Sequence, residues 1–454
     1  MGSSFEYAAR VQCAMRMLAI STWWVSACSS EPRPASLQNV VAAATSTRLE
    51  LDPRFGRDGR VVFAPSPGNH EFDDLLPVGH VVFAVGVSKF PDASSIALSC
   101  FDDRGTLALT FGAGGTLRIG TQQAERGSLA RDGNGRILIA GTVNSPQGHG
   151  NDVLVARVLP DGRLDGAFGV GGMMTFDLGA SESASRVFSL PDGKILIVGL
   201  HATRADWQTF VARVDHDGRL DATFGQGGAV LLKLVDSGGV PLAVLDRDGS
   251  VVLGGSIMGG GPNAVFVARM RPTGALAPEF GAGGVTRIDS VRSPGALQLD
   301  GRGRILMSAE QDGDGVVIRL DPSGQRDRGF GRDGMTERQV RQDHAYLHLV
   351  PWIEGSIIAL GTVGGGHEAH SIAVRFTASG KLDSDFGHRG VLRGEIAGDI
   401  PTVAALDDRG GIIAAGVHRL PGDAYDILRM EGLLLRLAPP RPSPPVARAG
   451  YQAD

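Results

Sequence analysis

The feature that most constrains the fold is a five-residue motif, F-G-x-x-G, that recurs seven times. The copies begin at Phe55, Phe111, Phe168, Phe224, Phe280, Phe330 and Phe386, so they are 56, 57, 56, 56, 50 and 56 residues apart. Each copy closes on a second glycine, at Gly59, Gly115, Gly172, Gly228, Gly284, Gly334 and Gly390. Spacing this regular indicates an internal repeat, and a repeat of small units can build one large domain from 454 residues.

Each repeat predicts four β-strands. Apolar runs such as "KILIVG" (194–199) and "TFVARV" (209–214) are bounded by Asp-Gly or Ser-Gly pairs, which tolerate the positive φ of tight hairpin turns. A further strand-like run, as in "GMMTFDLG" (172–179), follows each motif. A four-stranded unit of this size cannot bury both of its faces alone, so it has to pack against its own copies.

A ring of such units is a β-propeller, whereas a solenoid coil would need only about 20–30 residues per turn. We therefore predict an all-β fold: a seven-bladed β-propeller of four-stranded antiparallel blades over residues 45–438. The run "GRVVF" (59–63) is expected to pair with "LLLRL" (433–437), because joining the two chain ends removes an open sheet edge. The 66 glycines, about twice the usual share, fit such a turn-rich β protein.

The repeat resembles a known family. The pattern "DG-K/R-I-L-I-x-G … V-A-R-x-x-x-D-G-R-L-D-x-x-F-G-x-x-G" is similar to the delta-60 repeat, a propeller-forming bacterial repeat usually found in exported proteins. The resemblance covers nearly all of the chain after residue 45. It implies a propeller and an exported setting, and no particular activity or catalytic residue. Two copies depart from the pattern, with Ala108 and Ala277 where others have an aspartate such as Asp165 or Asp221.

The N-terminus predicts export. The stretch "MRMLAISTWWVSACSS" (15–30) has one arginine, an apolar run too short to span a bilayer, and small residues before Cys28. Its "VSAC" resembles a bacterial lipobox, which implies lipidation of Cys28, and Ser29 implies sorting to the outer membrane. Residues 1–27 would then be a lipoprotein signal peptide, 28–44 a flexible linker and 439–454 a proline-rich disordered tail. The alternative is an ordinary cleaved signal peptide that happens to contain a cysteine.

Composition and motifs exclude several functional classes. The net charge of −5, without a basic stripe, argues against nucleic-acid binding. No G-x-S-x-G, H-E-x-x-H or Walker sequence occurs. The Asp-Gly runs at 132–136 and 312–315 lack the spacing and final glutamate of a calcium-binding EF-hand loop, so we interpret them as hairpin turns. Cys100 is interpreted as a small buried apolar residue. We predict a monomer without a cofactor or catalytic residues.

Histidines form one candidate metal site. His344 lies in the strand-like "QDHAYLHLVPW" (342–352), and His367 and His370 lie in the loop "VGGGHEAHS" (363–371). In an antiparallel blade these positions come to the same end of the sheet, where imidazoles could ligate zinc or another transition metal. The alternative is that they are solvated loop histidines without a ligand.

The loops between the second and third strands of each unit vary most in length and content. Such loops on a rigid scaffold are where binding usually occurs, and Trp207 and Tyr425 are their candidate aromatic contacts. One hypothesis is a non-enzymatic scaffold that binds a protein, glycan or peptide partner and meets the membrane only through its lipid. The other is a propeller-based glycan hydrolase or lyase. An enzyme should bring acid and base residues from several blades to the central channel, whereas a scaffold should have an apolar channel.

Overall fold

The computed structural model describes twelve stretches of the chain: residues 49–64, 69–89, 94–120, 124–145, 150–204, 206–234, 237–257, 263–337, 344–364, 369–394, 398–420 and 430–438. For 237–240 and 344–347 only the backbone is described. Cys28, Tyr425 and His367 lie outside these residues, and so do the predicted signal peptide and tail. No helix within these stretches has the length and apolar character needed to cross a bilayer.

Seven antiparallel sheets follow one another along the chain, as predicted for a seven-bladed propeller. The first blade contains β3 (Asn69–Val78), β4 (Val81–Lys89), β5 (Ser94–Asp102) and β6 (Thr116–Ile119). The second contains β7 (Glu125–Arg131), β8 (Ile137–Asn144), β9 (Asn151–Val158) and β10 (Met173–Phe176). The third contains β11 (Ser181–Ser189), β12 (Ile195–Ala202), β13 (Trp207–Val214) and β14 (Ala229–Leu232). The fourth contains β15 (Ser237–Leu245), β16 (Val251–Ile257), β17 (Ala264–Met270) and β18 (Val285–Asp289).

The last three blades depart slightly from this plan. The fifth has a three-stranded sheet of β19 (Arg292–Leu299), β20 (Ile305–Gln311) and β21 (Asp314–Leu320). The sixth contains β22 (His344–Pro351), a 3-10 turn (Ile353–Gly355), β23 (Ile357–Val363), β24 (His370–Phe376) and β25 (Val391–Arg393). In the seventh, β1 (Glu50–Leu51) and β2 (Arg60–Phe63) join β26 (Asp399–Leu406), β27 (Ile412–Arg419) and β28 (Met430–Ala438). In the fifth blade, the described part of the fourth strand is reduced to a bridge between Ile318 and Met335.

The two ends of the chain close the ring. β2 pairs antiparallel with β28, with Arg60 opposite Leu435 and Val62 opposite Leu433, which agrees with the predicted pairing. β1 extends the contact, since Leu51 lies opposite Leu437. The N-terminal strands therefore complete the sheet of the seventh blade, which removes an open edge where the two ends of the described chain meet.

The innermost strand of every blade carries a β-bulge in its first half. The register shifts lie between Phe72 and Asp74, Glu125 and Gly127, Ala184 and Arg186, Gly238 and Leu242, Arg292 and Ala296, Tyr346 and His348, and Pro401 and Val403. A bulge bends its strand and re-aims the neighbouring side chains. Seven bulges at equivalent positions therefore form a ring around the channel.

The F-G-x-x-G motif joins neighbouring blades. All seven phenylalanines are buried, with at most 4% of any of them exposed. Gly225 adopts φ +57°, and a Cβ there would lie 2.1 Å from the Ala229 carbonyl oxygen. In the previous blade the corresponding Gly169 N–H donates to Asp217 O in the turn of the next blade at 2.7 Å. The motif is thus a joint in which backbone conformation and close approach both require glycine.

An arginine–aspartate pair supports this joint. Arg213 donates to Asp221 at 2.7 Å while its guanidinium lies 4.6 Å from the Phe224 ring centroid. The same arrangement recurs at Arg157, Arg319 and Arg375. Where the aspartate is Ala108, the arginine is also absent, and the buried Cys100 takes its place. Burial raises the pKa of the Cys100 thiol to about 12.

Candidate functional site

The variable loops lie at one end of the blades. In the third blade, Ser181 at the start of the innermost strand lies opposite Ala202 at the end of β12, and Ala202 lies opposite Trp207 at the start of β13. The same antiparallel order holds in the other blades, so the turns between second and third strands share one face. We call this end of the propeller the loop face; the F-G-x-x-G turns lie at the opposite end.

Trp207 is the aromatic residue that the structure places on the loop face. Its side chain is 44% exposed, which is unusual for a residue of this size, and Asp206 Oδ1 accepts its backbone N–H at 3.0 Å. Lys233 also pairs with Asp206, at 3.2 Å. The indole is therefore exposed at the start of β13.

The central channel contains a cavity of about 320 Å³ between the innermost strands. Its walls are mainly apolar or small, and they are contributed by all seven blades. The polar side chains in the described lining are Asp74, Arg131, Arg186, Ser189, Gln298, His348 and Thr402. A single carboxylate, that of Asp74, is therefore among these channel-lining residues.

The carboxylate of Asp74 is held by the two blades that follow it. Its Oδ2 accepts the Leu129 N–H at 2.9 Å and the Ser128 hydroxyl at 3.1 Å, and Arg186 approaches it at 3.6 Å. Ser128 Oγ in turn accepts the Val187 N–H at 3.2 Å. These contacts join the first three blades around the channel, and because the Leu75 N–H donates to Oδ1 at 3.0 Å, both oxygens of the carboxylate accept hydrogen bonds.

His348 enters the channel from the sixth blade. Its side chain is buried, and its Nε2 lies 3.3 Å from the Gln298 amide nitrogen. Burial, together with the positive charge of Arg186, lowers the pKa of His348 to about 3. The imidazole is therefore neutral at physiological pH and acts as a hydrogen-bonding group of the wall.

Asp73 has a raised pKa and a buried carboxylate oxygen without a partner in the described part of the chain. It is the bulged residue of β3, and its buried Oδ2 has no hydrogen-bond partner among the described residues. Burial, with a contribution from the charge of Glu71, raises the pKa of Asp73 to about 7, although Arg126 and the Gly127 N–H lower it. Asp73 is not among the residues that line the channel cavity, but a carboxyl with a pKa near neutrality is a candidate general acid or base.

The predicted histidine site is only partly described. The backbone register places His344 and His370 opposite the same residue, Val363, on either side of it. Two strand spacings, about 9–10 Å, therefore separate their backbones. The Nδ1 atom of His370 lies 3.1 Å from the Gly394 carbonyl oxygen. A metal at this position stays a prediction.

A second cavity, of about 800 Å³, lies in the cleft between the sixth and seventh blades. Its walls are mostly aliphatic, and two of the charged residues that line it, Arg60 and Asp399, form an ion pair. Arg60 donates two hydrogen bonds of 2.7 Å to Asp399, and His418 Nδ1 lies 2.7 Å from the same carboxylate. This network joins the N-terminal strand to the last blade, so it serves the closure of the ring.

The comparisons with known proteins concern the fold. A family model described as a domain of unknown function (DUF5122) beta-propeller matches residues 133–168 and 190–224. No curated protein matches the sequence. Among solved structures, polysaccharide lyase Uly1 is 11% identical, with a TM-score of 0.49 over 83% of this chain and 91% of that chain.

Two further structures are similar at the level of the fold. Acylaminoacyl peptidase from Pyrococcus horikoshii is 10% identical, with a TM-score of 0.40 over 76% of this chain and 49% of that chain. An alpha-L-arabinanase from Penicillium chrysogenum is 14% identical, with a TM-score of 0.40 over 66% of this chain and 92% of that chain. The blades and the family match together show that the chain is a β-propeller repeat protein.

Proposed function

We propose that the protein is a binding scaffold without catalytic activity, whose loop face holds a protein, glycan or peptide partner. The channel carries this proposal, because the single carboxylate in its described lining is occupied by Ser128, Leu129 and Arg186. The loop face, in contrast, carries the exposed Trp207 at the start of β13. Aromatic residues that combine a large apolar surface with a polar group are frequent centres of binding interfaces.

Site-specific cross-linking tests the loop face. A photoreactive amino acid is placed at position 207 in the full chain, and the matched control carries it at Val170, which is 87% exposed in an F-G-x-x-G turn at the opposite end. We expect a discrete cross-linked species, protein or glycan, from position 207 alone. Equal products from both positions, or none from position 207, would contradict a binding role for this face.

We also propose that the propeller is exported and anchored to the outer membrane by a lipid on Cys28, facing the periplasm or the cell surface. The lipobox-like "VSAC" and the resemblance to delta-60 repeats support this setting. The wild-type chain should incorporate labelled palmitate and fractionate with membranes, and Cys28→Ser should lose both properties. If Cys28→Ser keeps the label and stays in the membrane fraction, the lipid anchor is wrong.

A glycan hydrolase or lyase is the second candidate, and Asp73 is the observation that favours it. With a pKa near 7, the Asp73 carboxyl would be able to exchange a proton with a substrate that reaches it, close to the positive charge of Arg126. Against this, Asp73, Asp74 and Glu71 all belong to the first blade, whereas an enzyme was expected to draw such groups from several blades.

A polysaccharide panel separates the two functions. The enzyme hypothesis predicts that the wild-type chain turns over a polysaccharide. Asp73→Asn should then lower the rate by about 10²-fold or more, and the surface control Asp161→Asn should leave it unchanged. This result would contradict the scaffold proposal. The absence of turnover, together with cross-linking at position 207, supports the scaffold.

A further inference from the structure

Three carboxylates meet where the second and third blades pack together on the loop face. They belong to Asp152 in β9, Asp177 directly after β10, and Glu182 in β11. One oxygen of each lies within 4.8 Å of the others. The strand register explains why two of the three residues are close together. Phe176 lies opposite Val153, so the adjacent residues Asp177 and Asp152 are neighbours. Packing of the third blade against the second adds Glu182.

Two of these carboxylates are buried with unused oxygens. Asp152 is 3% exposed and Glu182 is fully buried. Asp152 Oδ1 and Glu182 Oε2 have no hydrogen-bond partner among the described residues, and no lysine or arginine of the described chain forms a salt bridge with either group. Leaving buried charged oxygens unpaired is costly. Asp152 Oδ1 and Glu182 Oε2 therefore lack a positive partner among the described residues, and a single cation between them would supply one.

The remaining oxygen of Glu182 is fixed from the opposite side. His201 Nδ1 lies 2.8 Å from Glu182 Oε1, and His201 lies opposite Glu182 in the ladder of the third blade. The hydrogen bond turns Oε2 away from the histidine. A group that orients a ligating carboxylate in this way is a typical outer-shell partner of a metal site.

We propose that Asp152, Asp177 and Glu182 bind a divalent cation of the calcium type between the second and third blades. Ligand atoms at about 2.3–2.6 Å from Ca²⁺ lie at most about 5 Å apart, which accommodates the observed spacing. Mg²⁺, with ligands at about 2.0–2.1 Å, would require the oxygens to move closer together. Zinc favours nitrogen and sulfur donors, and the three potential ligands here are carboxylate oxygens. The site does not depend on the identity of the partner bound by the loop face.

Calorimetry on the full chain, freed of metal with a chelator, tests the proposal. We expect CaCl₂ to bind at one site and to raise Tm, with a smaller response to MgCl₂ and ZnCl₂. Asp152→Asn and Glu182→Gln should each weaken calcium binding by about tenfold or more. The control Asp161→Asn, an exposed carboxylate at the other end of the second blade, should bind calcium as the wild type does. Equal binding by all four proteins would overturn the assignment.

A luminescent ion tests the site in the wild-type chain, so this measurement does not depend on whether the variants fold. Gln208, next to Trp207, lies opposite His201, so the indole is about two strands from Glu182. Tb³⁺ bound to the wild-type chain should show Trp-sensitised emission that CaCl₂ displaces. Trp207→Phe should lose the emission and keep the calcium-induced rise in Tm. No binding heat, no change in Tm and no displaceable emission from the wild type would overturn the proposed cation site.

Discussion

Replacing Phe224 by alanine should destabilise the propeller by about 3–5 kcal/mol, the usual cost of deleting a buried aromatic ring. Phe224 is 1% exposed and sits in a cluster formed by the third and fourth blades. A Cβ on Gly274 of the fourth blade would lie 3.2 Å from the ring. The deletion therefore opens a cavity at a joint between two blades, and it also removes the aromatic face beneath Arg213.

The corresponding change in Tm follows from the size of the domain. About 390 residues, at about 2.1 cal/mol/K each, give an unfolding entropy of about 0.8 kcal/mol/K. A loss of 3–5 kcal/mol is then a fall in Tm of about 4–6 °C, measurable by calorimetry or circular dichroism. The control Leu231→Ala removes a side chain that is 44% exposed in the same blade, and it should change the stability by about 0.5 kcal/mol or less. Similar decreases in Tm for both variants would refute the conclusion that Phe224 stabilises the contact between the two blades.

Two other predictions concern single side chains. In a Cys13→Ser, Cys28→Ser background, Cys100 should react with a thiol reagent at neutral pH only after unfolding, because it is 4% exposed and burial raises its pKa to about 12; rapid labelling of the native protein would contradict this. The hydrogen bonds from Lys194, Thr223 and Arg213 hold the pKa of Asp221 well below its usual range, so its stabilisation is full above about pH 4 and is lost on acidification. Chemical denaturation should show less loss of stability between neutral and acidic pH in Asp221→Asn than in the wild type, and equal losses would contradict this prediction.

The fold was predictable because the same motif occurs seven times at nearly regular spacing. The seven copies together indicate the number of blades, the strand order and the closure of the ring, so the prediction does not depend on any single copy. The predicted pairing of 59–63 with 433–437 is confirmed over Arg60–Phe63, while Leu437 pairs instead with Leu51. That shift arises because the fourth strand of the last blade is divided between β1 and β2, which the sequence pattern of "LELDPRFG" does not reveal.

The candidate sites were harder to predict because they depend on contacts between blades. Asp177 and Asp152 could have been placed together from the hairpin register, but Glu182 joins them only through packing of a different sheet. Likewise the titration of Asp73 depends on its bulge and on the burial it creates, and no local sequence signal marks that position. The Asp-Gly runs and the histidine-rich loop, in contrast, can be recognised from the sequence because their residues are adjacent in the chain.

One position in the innermost strands shows where the blades differ despite their common repeat. The residues opposite the position before the second-strand glycine, which is Ala309 in the fifth blade, are Asp74, Ser128, Arg186, Leu242, Ala296, His348 and Val403 in blade order. A sevenfold repeat would make these positions alike, yet polar residues occupy the first three blades in succession. Trp207 and the three carboxylates also belong to the second and third blades. Ser128 and Arg186 both contact Asp74, so this departure from the repeat joins the first three blades around the channel.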